Sequence, residues 1–395
     1  MSFSNVESMP FSDLSSKIID NRGKTCPTTD HGIALIATNC IKNENLYPVY
    51  ENVRYVSEDT YKSWFRGHPE PGDLIFVTKG TPGQVCLVPL KVDFCIAQDM
   101  VSIRPNSNKV DPMYLFAALR SSEIQGEIEN LHVGSLIPHF KKSDFDKLLI
   151  PLPKRGLQEY IGKQYYSFSS KIDLLHRQNK TLETMAETLW RKMFLEEADP
   201  NWKKGKLGDY VTVKGGTTPS TKRPEFWDGN NAWTSPRDLS NNKTLFLHDT
   251  ERKITEKGLS QIGSGLLPKG TVLLSSRAPI GYLAISNIPV AINQGYIAVI
   301  CDQIFPNYYM YFWIKINMDL IIGSANGSVF LEISKSVFKV LDIELPDKNI
   351  IDKFSTTINP IFEKILKNEI QIRTLSRLRD TLLPKLMSGE VRVKT

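Results

Sequence analysis

Cysteine is sparse. The 395 residues hold five, Cys26, Cys40, Cys86, Cys95 and Cys301, odd in number and never spaced as C-x-x-C. That excludes a disulfide frame and a cysteine zinc site, and reads as reduced core thiols in a cytoplasmic protein. The six histidines, His31, His68, His132, His139, His176 and His248, show no metal-ligand spacing. No apolar run approaches the ~18 residues of a membrane-spanning helix. The opening residues, MSFSNVESMP, lack the basic and then apolar pattern of a signal peptide, so none is expected. A strong excess of one charge is also missing. Lys and Arg total 49 against 43 acidic residues, a net +6, with a pI near 8.8. Such a balance permits a polyanionic partner without demanding one. Hydrophobic residues at 41% are too many for a disordered chain and too few for a membrane protein. At about 150 residues per domain the length predicts two to three domains.

What the chain does contain is a copy of itself. The run from Gly72 through Lys79 to Gly83 lines up with the run from Gly270 through Arg277 to Gly281. Gln98 then pairs with Gln294, Gly134-Ser135 with Gly327-Ser328, and Phe145 with Phe338. Ile150-Pro151-Leu152-Pro153 pairs in turn with Ile343-Glu344-Leu345-Pro346. The separation shrinks slowly along the chain, as small loop deletions between two copies of one domain would make it. Each copy reads as strands and hairpins, a short helix (around Pro112–Ser121 and Pro306–Met318), strands ending at I-x-L-P, and a long helix.

The long helices carry the clearest periodicity. In the first copy the seam is Leu157, Ile161, Tyr165, Phe168, Ile172, Leu175, Asn179, Leu182, Ala186, Leu189 and Met193. In the second it is Ile350, Phe354, Ile358, Ile361, Ile365, Asn368, Ile372, Leu375, Arg379, Leu382 and Leu386. Steps of three and four alternate, the repeat of a coiled-coil face. From Leu157 to Met193 the helix would measure roughly 55 Å. Each apolar stripe needs a partner, and the other helix is the obvious one, running antiparallel. Asn179 and Asn368 fall mid-seam, where they either set register or sit exposed. Pro360, inside the second helix, is expected to kink or divide it near Thr356. The fold class is α+β: two similar mixed α/β domains separated by a long antiparallel helix pair. The boundaries are 1–155 (first domain), 156–197 (first helix), 198–347 (second domain) and 348–391 (second helix).

Particular wording in the second copy resembles the target recognition domain of type I restriction–modification specificity subunits. It runs through Gly205-Lys206-Leu207-Gly208-Asp209, Gly215-Gly216-Thr217-Thr218-Pro219-Ser220-Thr221-Lys222, Pro224-Glu225-Phe226-Trp227 and Trp233-Thr234-Ser235-Pro236-Arg237-Asp238-Leu239. Ser275-Ser276-Arg277-Ala278-Pro279-Ile280-Gly281 and Ile292-Asn293-Gln294-Gly295 continue it. The first copy matches more weakly, through Phe11-Ser12-Asp13-Leu14, Arg22-Gly23-Lys24-Thr25 and Gly83. The resemblance implies a subunit without catalysis of its own, whose two domains each read half of a bipartite, asymmetric double-stranded DNA target. It implies two adenine methyltransferase subunits docked on the helices, and restriction subunits that can join. No cofactor would be bound by this chain; S-adenosylmethionine would sit on the methyltransferases, and ATP and Mg on the restriction subunits.

The residues suit that work. Lys214, Thr217, Thr218, Ser220, Thr221 and Lys222 make a Gly-flanked loop rich in hydroxyls and cations, groups that position phosphate. Arg277 and Gln294, with Lys79 and Gln98 at the equivalent places, carry the fork and amide chemistry that reads base edges. The resembling motifs add Lys24, Thr25, Arg237 and Ser276 as DNA-binding candidates. Plainer readings stand beside these: a turn for the loop, solvated hairpin tips for Lys79 and Arg277, buried backbone partners for Gln98 and Gln294, core for Trp227 and Trp233. Two readers roughly 55 Å apart could enter grooves one turn, about 10 base pairs, apart on one side of a duplex.

Catalytic wording fails on inspection. Asp111-Pro112-Met113-Tyr114 and Asn359-Pro360-Ile361-Phe362 imitate an amino-methyltransferase signature, but each lacks its second proline. Asp111-Pro112 reads better as a helix cap and first turn. Gly156 to Gly162-Lys163 has the wrong spacing for a phosphate loop and lies in a helix. A self-sufficient nuclease or methyltransferase, and a scaffold that binds only protein, are the rival readings.

Overall fold

The computed structural model describes residues 7–21, 23, 25–131, 137–240, 244–327, 331–387 and 390. Gly134, Ser135 and Ser328 of the repeat therefore lie outside the described residues. Contacts divide the chain into two units, one up to Leu175 and again from Gln371, the other from His176 to Ile370.

Among the described residues the first unit holds nine strands: β1 (Ser8–Pro10), β2 (Ser15–Asp20), β3 (Ile33–Ile36), β4 (Arg54–Val56), β5 (Leu74–Val77), β6 (Val85–Leu87), β7 (Phe94–Ile96), β8 (Met100–Pro105) and β9 (Leu149–Pro151). They form a four-stranded sheet in the order β2-β8-β5-β6, a three-stranded one in the order β4-β3-β7, and the pair β1-β9. β3 runs parallel to β7 and antiparallel to β4. β5 is an uninterrupted apolar run, Leu-Ile-Phe-Val, because it is buried on both faces. The helix Pro112–Leu119 begins as expected: the Asp111 carboxylate accepts from Tyr114 N at 2.9 Å, and Pro112 occupies the first turn.

The second unit has β10 (Lys203–Lys206), β11 (Thr212–Gly215), β12 (Trp227–Thr234), β13 (Phe246–Leu247), β14 (Arg252–Ile254), β15 (Val272–Ser276), β16 (Ile280–Ser286), β17 (Ala291–Ile292), β18 (Tyr296–Ile300) and β19 (Asp342–Leu345). Their order is β11-β18-β15-β16-β13, with β14-β12-β17 and the pair β10-β19 beside it. Strand for strand this repeats the first unit, down to the parallel pairing of β12 with β17 and of β3 with β7. The edge strand β13 is an addition. The duplication in the sequence is thus a duplication of topology.

The long helices run Arg155–Arg191 and Lys348–Met387, the first closing in a π-turn at Lys192–Glu196. Every residue of both seams is buried or half-buried. In the first unit Ile161 and Tyr165 share a core with Leu383 and Leu386, and Ile172 and Leu175 meet Ile372, an antiparallel register. The seam cation Arg379 is buried and its guanidinium lies 5.5 Å from the Tyr165 ring, which explains a charge at an inward position. In the second unit Phe194 packs on Phe354 with ring centres 5.2 Å apart. Further along that helix pair, Asn368 Nδ2 donates to Asn179 Oδ1 and Gln178 Oε1, each at 2.8 Å. The two mid-seam asparagines therefore bond each other. A polar pair in an apolar seam is satisfied in one register, since any slip leaves buried amides unpaired.

The division expected at Pro360 does not occur, because the helix runs on through it. Pro360 is exposed, so the missing N–H bond falls on the solvent side. Phe354, Ile358 and Phe362 flank it and are fully buried, holding the helix to the core of the unit. Burial of such side chains stabilises by about 1.5–3 kcal/mol each, comparable to the roughly 3 kcal/mol that an interior proline costs.

Two polar links fix the helices to the second unit. Lys315 Nζ meets Glu183 at 2.6 Å and Glu187 at 3.0 Å, and Arg191 also holds Glu187 at 3.0 Å. Burial alone would raise the pKa of Glu187, but the hydrogen bonds and charge of Lys315 and Arg191 outweigh it, and the net shift is downward. Glu369, buried on the second helix, accepts from Leu245 N at 2.8 Å, Phe246 N at 3.3 Å and His248 Nε2 at 2.7 Å. It thereby caps edge strand β13. Among the described residues no helix is long and apolar enough to cross a membrane.

Two outcomes follow from this packing. Pro360→Ala restores a helical N–H on an exposed face and should stabilise the chain by up to about 3 kcal/mol, read as a higher denaturant midpoint. Lys315→Met should lower the thermal midpoint near neutral pH. Because Glu187 is depressed in the folded state, its contribution is present above the ordinary carboxylate value of about 4.3 and is lost as pH falls through the lower folded value. The gap between variant and unaltered chain should therefore close in acid.

Candidate nucleic-acid interface

In the second unit β11 ends at Gly215, and Gly216 passes so close to β17 that a Cβ there would stand 1.8 Å from the Ile292 carbonyl oxygen. Only glycine fits. Thr217 N then donates to that same oxygen at 3.1 Å. The loop that follows is strung on two indoles: Trp233 Nε1 donates to Thr217 O at 3.3 Å and Trp227 Nε1 to Ser220 O at 3.2 Å. Both tryptophans are buried, packed edge to face at 5.1 Å, so they are core residues that shape the loop from beneath. Thr218, Ser220 and Lys222 stand exposed along it.

The loop turns back toward Gln294, whose Oε1 accepts from Thr218 Oγ1 at 2.5 Å. Beside it, Ser276 at the end of β15 is buried, its N–H donating to Gly295 O at 2.8 Å. Arg277 opens the β15–β16 turn. Ser275 Oγ holds that turn from inside, donating to Pro279 O and accepting from Tyr282 N, each at 2.8 Å. Arg277 Nη1 lies 3.6 Å from Glu332 Oε2, and the two residues form a short antiparallel bridge. Together these elements wall a cleft of about 550 Å³ that gathers four expected residues, Lys214, Thr217, Ser276 and Gln294. Glu332 and Lys335 also line it. Arg237 stands apart on the helix Pro236–Ser240, exposed and 3.4 Å from Glu251.

The first unit repeats the arrangement with other chemistry. Lys79 opens the β5–β6 turn and bridges His139, as Arg277 bridges Glu332. Its Nζ lies 4.0 Å from Asp99 Oδ1, so the lysine is held by the neighbouring loop instead. Gln98 is half-buried on that loop and Thr25 is exposed. Lys24 lies outside the described residues.

These charged contacts are half-exposed, and surface pairs of this kind stabilise by about 0–1 kcal/mol. A phosphate or a base edge can replace the internal carboxylate at little cost. The tips are thus loosely tethered polar groups on buried strands, an arrangement suited to reading an extended polar partner. Lys335 and Glu332 lie outside the sequence motifs, although the repeat aligns Lys335 with Lys142.

The sequence model of the type I restriction modification DNA specificity domain matches residues 30–184 and, a second time, residues 200–372. The chain belongs to that family. This specificity chain is 34% identical over 185 residues to the MjaIX specificity subunit of Methanocaldococcus jannaschii, a match spanning 46% of this chain and 43% of that protein. It is 22% identical over 377 residues to the HindI specificity subunit of Haemophilus influenzae, spanning 76% of this chain and 82% of that one. In fold it resembles the S subunit of a type I restriction-modification system from M. genitalium, with a TM-score of 0.62 at 16% identity over 97% and 96% of the two chains. The specificity chain's repeated units are accordingly its two recognition domains.

Gly216→Ala tests the loop anchor. The new methyl must push the loop off Ile292, and duplex binding should weaken about tenfold or more, equivalent to about 1.4 kcal/mol. Binding anisotropy checks this, with circular dichroism expected to show the strands intact.

Proposed function

We propose that the chain acts in the cytoplasm as the non-catalytic reader of an asymmetric, bipartite DNA target, one half-site per recognition unit. Two DNA adenine methyltransferase subunits dock on its helices, and restriction subunits that translocate DNA with ATP can join the complex. The observation that carries this reading is the repeat itself: one strand order twice, with different side chains at equivalent tips. Lys79 faces Asp99 where Arg277 faces Glu332. Identical heads would read a symmetric target; unlike heads read an asymmetric one.

Within such a head the labour divides by chemistry. Lys214, Lys222 and the hydroxyls of the Gly215–Thr221 loop position the unit on phosphates, and Thr25 is the exposed counterpart candidate in the first unit. Arg277 and Gln294, with Lys79 and Gln98, offer donors and amides to base edges. Ser276 acts from beneath, through the backbone that sets the tip. This chain supplies no methyl donor; S-adenosylmethionine belongs to the methyltransferase partner, which flips the target adenine from the duplex, and ATP with Mg to the restriction partner.

Methylome mapping of cells carrying the methyltransferase with and without this chain tests the reading. Methylated adenines at one bipartite motif should appear only when the chain is present, and duplex binding should weaken steeply with salt. Methylation unchanged by its removal would overturn the assignment. A motif with two identical half-sites would overturn the asymmetric target.

A further inference from the structure

The two units differ at one spot where the framework is the same. β2 pairs with β8, and β11 with β18, so that Asp20 opposite Val101 occupies the place of Gly215 opposite Ile297. Over that spot each unit lays a lysine from the short helical segment that precedes its I-x-L-P strand. In the first unit it is Lys142, whose Nζ lies 3.6 Å from Asp20 Oδ2. In the second it is Lys335, whose stem crosses the glycine: a Cβ on Gly215 would meet Lys335 Cδ at 2.9 Å and Nζ at 3.4 Å.

The carboxylate present in one copy is therefore missing from the other. Lys335 and the adjacent Lys214 are exposed, line the same cleft, and make no ion pair among the described residues. Glu332, the carboxylate on that wall, is taken by Arg277 at 3.6 Å. Ser264 Oγ, also on the wall, is buried without a hydrogen-bond partner among the described residues. Two cations without an ion pair among the described residues thus line a polar cleft of about 550 Å³.

We propose that Lys335, with Lys214, is a phosphate anchor of the second recognition unit, and that Asp20 weakens the corresponding anchor in the first. This rests on the DNA-reading function above and adds an asymmetry of grip to the asymmetry of reading. The second unit holds the backbone through salt-sensitive contacts, whereas the first relies more on its tips.

The test uses the full chain and a mixed-sequence duplex, since backbone contacts do not depend on sequence. Binding is followed from about 50 to 200 mM salt, where each phosphate contact contributes about 0.9 to the slope of log affinity against log salt. Lys335→Met, which keeps the stem over Gly215, should flatten the slope by about one contact. Lys142→Met should flatten it less. Asp20→Asn, which touches only the first unit, should steepen it by freeing Lys142. An unchanged slope for Lys335→Met, or equal losses for the two lysine variants, would overturn the anchor. Absence of duplex binding by the unaltered chain would instead strike the DNA-reading function, and the anchor with it.

Discussion

Neither long helix can bury its apolar stripe alone, and the rest of the fold depends on how that debt of exposed surface is settled. Isolated helices gain little from propensity; they persist by packing a face. Here the face is shared out along the helix. Ile161 and Tyr165 serve the core of the first unit, while Ala186, Trp190 and Phe194 serve that of the second, with the second helix meeting them antiparallel in each. The helices are therefore part of both domain cores. Substitution at Phe354 or Leu383 would disturb a recognition unit as well as a helix pair.

Register along so long a seam needs a specific device, because apolar contacts are forgiving of a slip by one turn. The Asn179–Asn368 bond supplies one. Glu369, next in sequence, supplies another by reaching sideways to the β13 backbone and to His248. Burial raises the Glu369 carboxyl above its ordinary value, while His248 and two backbone N–H groups oppose the rise. A group so placed tolerates no alternative position of the helix, since a shift would strand both the carboxyl and the donors it satisfies.

How much of this was legible in the sequence follows from what each signal measures. The duplication, the order of elements up to the I-x-L-P endings and the helix seams could be read because they express burial, which leaves periodic apolar residues. Asp111-Pro112 could be read because a cap is local chemistry. The division expected at Pro360 is absent because the local rule carries no information on the tertiary contacts of Phe354, Ile358 and Phe362, which hold the helix through it. Glu369 gave no sign, since its partners lie more than a hundred residues away in sequence. The cleft was half legible: Lys214, Thr217, Ser276 and Gln294 sit in recognisable wording, whereas Lys335 joins them only through the fold.

The same division explains where the two units are free to diverge. Positions that pair strands or fill the cores are constrained by every neighbour, and they keep the same order in both copies. A tip such as Lys79 or Arg277 contacts a single half-exposed carboxylate. Exchanging it costs little folding energy, because surface ion pairs stabilise weakly. Yet an Arg fork presents a different pattern of donors to a base edge than an ammonium does, so the same exchange is large for recognition. The contrast between Gly215 and Asp20 is of this kind: at one place on an edge strand, one copy sets a carboxylate beside its lysine and the other sets none. Specificity and grip can thus change by substitution at the rim while the buried strands beneath stay as they are.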